Sequence, residues 1–264
     1  MPHCNIARLF ACFSLLLTAA GVQAAPISYG DFTGANVKYT GVTENSGTDP
    51  TPLYGSPVVS GNTLDFDPVS FNSYASGAGQ TDVTDGTLTF GLSSLTGSFL
   101  DKFQLFEQGD VTLAGFGGLS TFASIRTNVF INILAVDGVS INPVNIVGSL
   151  VFTPSNGSFD LQTNAAGGPF FNSTWTGSGE FNLTQALIDN NISFQSGVTK
   201  ISVTLDNTLV TVSQSGTAAY LAKKDIQGIA ITHAVPEVSS VLMLSSVVGG
   251  FLVVRKARRL YAKA

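Results

Sequence analysis

No cysteine follows Cys12, so a mature chain that begins after the first two dozen residues has no thiol, no disulfide and no Cys-ligated metal. Histidine is nearly as scarce. His233 is the only one after His3, which leaves Ser-His-Asp and Cys-His nucleophiles, and His-ligated catalytic zinc, without their imidazole. Charged residues make up only 11% of the chain. Between Ala25 and Ala234 six cations (Lys38, Lys102, Arg126, Lys200, Lys223, Lys224) stand against sixteen acids, a net charge of −10. That sign excludes nucleic acid as a partner, because phosphates demand a basic face. No internal repeat of fixed period is present, which argues against a β-helix or propeller. Amphipathic helical periodicity is almost absent, and with it a parallel α/β fold.

Glycine, serine, threonine and asparagine are plentiful, and they punctuate sheets while disfavouring helix interiors. Strand-like alternation appears at Ile27 to Phe32, Asn36 to Val42, Thr63 to Phe66 and Thr87 to Leu92. Ser73 to Asp85 reads as a polar loop. Asp101 to Glu107 and Val111 to Phe116 read as a hairpin turned by Gln108-Gly109-Asp110, and Ile201 to Leu205 with Leu209 to Val212 as another turned by Asp206-Asn207-Thr208. The strongest strand signal runs from Phe122 to Val136, ends at the turn pair Asp137-Gly138, and is followed by apolar strands at Ile146 to Phe152 and Phe170 to Leu183. Thr184 is placed to cap one short helix, Gln185 to Asn190. Ala218 to Lys223 and Ile226 to Thr232 complete the set. About 210 residues of short strands predict one all-β domain, an antiparallel β-sandwich or jelly roll.

Both ends of the chain carry addresses. Arg8, the apolar stretch Leu9 to Ala20 and the small residues Val22 and Ala24 have the three parts of a secretory signal peptide, with cleavage expected between Ala24 and Ala25. At the other end stands Val235-Pro236-Glu237-Val238-Ser239-Ser240. Seventeen uncharged residues, Val238 to Val254, follow, enough for one membrane crossing, and Arg255, Lys256, Arg258, Arg259 and Lys263 close the chain as a stop-transfer end. This order of motif, apolar run and basic end resembles the PEP-CTERM sorting signal of Gram-negative surface proteins, with Val238 in place of the second proline. The resemblance implies a signal peptidase and an exosortase-like processing enzyme as partners. It also implies a passage through the inner membrane to the cell surface or extracellular matrix, as in biofilms. The stretches Leu205-Asp206-Asn207-Thr208-Leu209 and Ala222-Lys223-Lys224-Asp225 are similar to parts of other PEP-CTERM cargo domains.

Three function classes fit the middle domain: a structural or adhesive surface protein, a carbohydrate-binding module for exopolysaccharide, and a glycoside hydrolase. The first is the primary expectation, with no enzyme activity, cofactor, catalytic residue or metal site assigned. A hydrolase would need two carboxyls across a cleft, for which Asp65 with Asp67, Asp82 with Asp85 and Glu107 with Asp110 are candidates, although aspartates in such sequences mostly form turns. A sugar-binding platform would draw on Trp175, Phe170, Phe171, Tyr29, Tyr39, Tyr54 and Tyr74, most of which are expected in the core.

Overall fold

The computed structural model describes residues 25–116, 120–161 and 170–235. The leader up to Ala24 and the tail from Pro236 on, including the motif residues Pro236 to Ser240 and the basic end, lie outside the described residues. Among those described, no helix is long and apolar enough to cross a membrane.

The described chain is almost entirely antiparallel β. The strands are β1 (Ile27–Thr33), β2 (Val37–Asn45), β3 (Val58–Ser60), β4 (Thr63–Phe66), β5 (Asn72–Ser76), β6 (Gln80–Ser94) and β7 (Ser98–Gly115). They continue as β8 (Phe122–Val136), β9 (Val139–Ser149), β10 (Val151–Thr153), β11 (Ser158–Asp160), β12 (Ser173–Asn182), β13 (Val198–Ser213) and β14 (Thr217–Ala234). The one α-helix is α1 (Leu183–Asp189).

Two layers form a sandwich-like body. In the first, β1, β2, β6, β13, β8 and β9 pair in that order. In the second, β10, β12, β7 and β14 pair in order, and β14 then pairs with β5 along its first part and along its later part with β4, which in turn pairs with β3. The layers are joined at one end, where Val198 at the start of β13 pairs with Leu100 near the start of β7. Strand alternation explains the burial: on β8, Ile125, Val129, Ile131 and Ile133 point inward and are buried. Facing them are Phe66, Phe103, Leu105, Trp175 and Leu221, so both inner faces contribute to one core.

The sequence expectations for β8 and β4 coincide with the observed bounds, and Asp137-Gly138 does turn the chain, with φ of 49° and 79°. The Asp137 carboxylate also accepts hydrogen bonds from the amides of Gln195, Ser196 and Gly197 at 2.6–2.9 Å, tying the β8–β9 turn to the entry of β13.

Several expectations are corrected. Ser73 to Asp85 is not a loop, because β5 and the first part of β6 occupy it. Neither proposed hairpin exists. Gln108-Gly109-Asp110 lies inside the 18-residue β7, and Asp206-Asn207-Thr208 inside the 16-residue β13, both paired on two sides. Likewise Ala218 to Thr232 is one strand, β14, with a bulge that leaves Lys224 without a partner between Lys223 and Asp225. The helix begins earlier than predicted. Its cap is Asn182, whose side chain accepts from Gln185 N at 2.8 Å, while Thr184 donates its hydroxyl proton to Asp101 Oδ1 at 2.6 Å.

Gly109 shows why β7 passes straight through a turn-like triplet. A Cβ there would stand 1.9 Å from the Ala222 carbonyl oxygen and 2.4 Å from the Trp175 ring, so the glycine is demanded by close packing and not by a turn. Trp175 is fully buried over this bare backbone. Gly109→Ala is therefore expected to cost about 3 kcal/mol, the upper end for overpacking a core, and to lower the Tm by roughly 6–12 °C in a domain of this size. A thermal melt indistinguishable from the parent would place Gly109 in open space.

Candidate functional site

The outer face of the second layer carries a concavity. On β7, Phe103, Leu105 and Glu107 point inward, which turns Gln104 and Phe106 outward. Register then sets their neighbours: Gln104 lies between Glu180 on β12 and Ile229 on β14, and Phe106 between Ser178 and Gln227. Val151 on β10 stands opposite Ser178 and extends the second row. Together these side chains line an open groove of about 770 Å³, with an apolar floor of Phe106, Ile229 and Val151 and walls of amide, hydroxyl and carboxylate groups.

One wall is fixed by a polar fork. Glu180 Oε1 accepts from Lys102 Nζ at 2.7 Å and Glu180 Oε2 from Gln104 Nε2 at 2.7 Å. The Lys102 ammonium first, and the Gln104 amide second, hold the Glu180 carboxyl below the usual range, so it stays an anion and an acceptor. At the other end Gln227 Nε2 donates to Asp225 Oδ2 at 3.3 Å, and the carboxyls of Asp225 and Asp65 lie close enough to act on each other. Burial, and then the neighbouring carboxylates, raise both Asp225 and Asp65.

A second concentration of polar groups lies in the core, between the layers. Lys223 Nζ sits 2.5 Å from Glu107 Oε2, contacts Asn207 Oδ1 and lies 3.3 Å from Thr127 Oγ1. Thr127 Oγ1 is also 2.7 Å from Glu107 Oε2 and 2.5 Å from Asn207 Oδ1. Asn207 Nδ2 donates to the Tyr54 hydroxyl at 2.8 Å, which donates to Gly86 O at 2.7 Å. Phe71 covers the ammonium, its ring centre 5.4 Å from Nζ. Every one of these side chains is at most 1% exposed. Burial pushes the Lys223 pKa down against the pull of Glu107, and pushes the Tyr54 phenol well above its ordinary value.

The candidate carboxylate pairs of the sequence do not assemble as pairs. Glu107 points into the core while Asp110 bonds the exposed Lys224 at 2.8 Å. Asp82 Oδ2 accepts from Tyr74 N and Asp85 Oδ1 from Thr208 Oγ1, as turn and strand aspartates do. Asp65 lies within the influence of Asp67 and also of Asp225 on β14. Nor does an aromatic platform form. Trp175, Tyr39 and Tyr54 are buried, Tyr29 bonds Glu44 Oε2 at 2.6 Å, Phe170 packs on Phe159, and the exposed Phe171 and Tyr74 belong to separate places. His233 stacks on Phe99 and lies 3.3 Å from Asp101 Oδ2 at the end of β14. Of the expected sorting motif only Val235 is described; its amide donates to Gly97 O at 2.8 Å. Among the described residues no group of three or more His, Cys, Asp or Glu could hold a metal.

The groove residues escaped the sequence reading, although one signal was there. Phe106 and Ile229 are large apolar residues at positions whose neighbours on the same strand face are Gln104 and Gln227.

No protein-family model matches the chain, and no curated protein matches it. Solved structures to which the chain has a weak likeness include a carbohydrate-binding module in complex with β-1,4-galactotriose, at 7% identity and a TM-score of 0.21, covering 62% of this chain and 68% of that one. Another is the family 11 xylanase from Neocallimastix patriciarum, at 8% identity and a TM-score of 0.20, covering 80% and 100%. A third is the enzymatically active domain of a bacteriophage CBA120 tailspike protein, at 14% identity and a TM-score of 0.18, covering 74% and 19%. At such scores these likenesses say nothing about a site or ligand.

The Asp65–Asp225 pair makes a pH prediction. A carboxyl whose folded pKa is raised contributes stability that is complete below its unfolded pKa and is lost as pH rises through the folded pKa. Asp225→Asn removes that loss, so the variant should melt roughly 2–4 °C above the parent at pH 7, the shift that about 1 kcal/mol produces in a domain of this size. The gap should close as pH falls below about 4, where the parent's carboxyls are protonated. Melts at the two pH values check it; a gap of the same size at both would show that repulsion between the pair is not its source.

Proposed function

We infer that this chain is an exported surface protein whose β domain binds neutral polysaccharide, without cleaving it, in the groove lined by Gln104, Phe106, Glu180, Gln227 and Ile229. The observation that carries the reading is the chemistry of that groove. Sugar rings present apolar C–H faces and edges of paired hydroxyls. Phe106, Ile229 and Val151 offer a floor for the former, and the planar side chains of Gln104, Gln227 and Glu180 offer donors and acceptors for the latter. The groove is open across the sheet, which suits a chain that enters and leaves at both ends. A polyanion is disfavoured by the sixteen acids between Ala25 and Ala234 and by Glu180 itself.

A non-catalytic role is supported by the groove's titratable groups. Glu180 is the one carboxylate among its lining residues, and Lys102 and Gln104 hold its pKa low, whereas a glycosidase acid must be raised and paired with a second carboxyl. The leader and the PEP-CTERM-like tail supply the setting. Export through the signal peptide, release near Pro236-Glu237 by an exosortase-like enzyme, and retention at the cell surface or matrix would bring the groove to exopolysaccharide.

A glycan array followed by affinity electrophoresis tests the binding. Retardation by a neutral polysaccharide is expected, with Gln104→Ala and Gln227→Ala each weakening it about tenfold, the equivalent of one good hydrogen bond. Phe171→Ala, remote from the groove, should leave it unchanged. Absence of any glycan ligand, or binding indifferent to both glutamines, would remove the groove from the account.

A further inference from the structure

We propose that Lys223 and Asn207 become joined by an intramolecular isopeptide bond that covalently staples β14 to β13 across the two layers. The inference is independent of the glycan reading, since it rests on the core cluster alone. Lys223 Nζ is held against the side-chain amide of Asn207, on the carbonyl side, and both groups are sealed from water. An amine and an amide do not condense in solution at ordinary rates, but fixing them in contact makes the encounter unimolecular, worth effective molarities of about 10⁵–10⁸ M.

The surrounding groups meet the needs of that reaction one by one. The amine must first lose a proton, and Glu107 Oε2 is 2.5 Å from Nζ to take it. Burial under Phe71 lowers the Lys223 pKa and favours this transfer. The amide carbonyl must be polarised, and the Thr127 hydroxyl lies 2.5 Å from Oδ1, placed to donate to the oxygen as negative charge builds on it. The amide must also be held still, and Tyr54 does so by accepting from Nδ2, its phenol kept protonated by burial.

The balance closes without any co-reactant. Nζ bonds to Cγ of Asn207, Glu107 carries the first lysine proton to Nδ2, the Cγ–Nδ2 bond breaks and ammonia leaves. The second proton released from Nζ stays on Glu107, whose Oε1 has no other hydrogen-bond partner among the described residues. No atom is oxidised or reduced. An open pocket of about 380 Å³ lined in part by Lys223 and Phe71 lies beside the cluster. The products remove a buried ammonium and a buried carboxylate together, which relieves the desolvation both suffered. A chain with no cysteine after Cys12 thereby gains a redox-proof cross-link suited to life outside the cell.

Peptide mapping of the full-length chain, purified from an exporting Gram-negative host, tests this. Trypsin cuts after Lys200 and Lys224 but not after an acylated Lys223. The expected product is the peptide 201–224, lighter than its sequence mass by one ammonia, with no backbone fragment ions between Asn207 and Lys223, because the loop holds each broken pair together. Glu107→Gln should return the peptide to its sequence mass with normal cleavage after Lys223. A wild-type peptide at sequence mass overturns the proposal. So does an ammonia loss with full fragmentation between the two residues, the signature of a succinimide at Asn207. Cross-linking that persists in Glu107→Gln overturns the role of Glu107. Should that variant fail to accumulate, the wild-type peptide alone decides.

Discussion

The fold is organised around one lysine, Lys223, whose amino group has no access to water once the strands assemble. Lys223 on β14 reaches Glu107 on β7 within its own layer, and Asn207 on β13 and Thr127 on β8 in the other, so the four central strands each supply one member of a single cluster. A buried ion pair of this kind is not a large net source of stability, because desolvation offsets most of the attraction. Its consequence is specificity. Slipping any of the four strands by one residue would turn its polar member outward and leave the others unpaired in a core of Phe66, Phe71 and Trp175, at a cost of about 3–5 kcal/mol.

The same constraint shapes the surface. Alternation along β7, and along β14 past its bulge, means that fixing Glu107 and Lys223 inward also fixes Phe106, Gln104, Gln227 and Ile229 outward in one register, with Glu180 drawn in by β12. The bulge at Lys224 adjusts β14 between its two roles, since it separates the parity of Lys223 from that of Asp225 and Gln227. A rigid, preorganised groove is what a weak, hydroxyl-rich ligand requires, because ordering loops on binding would consume the little free energy available.

Much of the architecture was legible in the amino acids. The all-β class, the bounds of β8 and β4, and the Asp137-Gly138 turn follow from alternation and from residues tolerant of positive φ. What misled was polarity inside strands. Gln108-Gly109-Asp110 and Asp206-Asn207-Thr208 have the composition of turns, and local preference alone cannot reveal that a lysine from β14 neutralises Glu107 beside the one triplet and bonds Asn207 in the other. Gly109 misled for a related reason, since its missing side chain makes room for Trp175 and the Ala222 carbonyl, partners distant in sequence. The groove stayed hidden because its residues are ordinary until register brings four strands together. The expected sorting motif from Pro236 on lies outside the described structure.

Native-state hydrogen exchange on the amides of residues 107–110 and 205–209 tests the central claim most directly, because a strand paired on both sides and a surface turn differ in protection by orders of magnitude. If a buried Lys223 cluster organises the fold, these amides exchange only through global unfolding, as slowly as those of Ile131 and Ile133 at the middle of β8. Rapid exchange at Gly109 and Asn207, as from hairpin turns open to water, would contradict it.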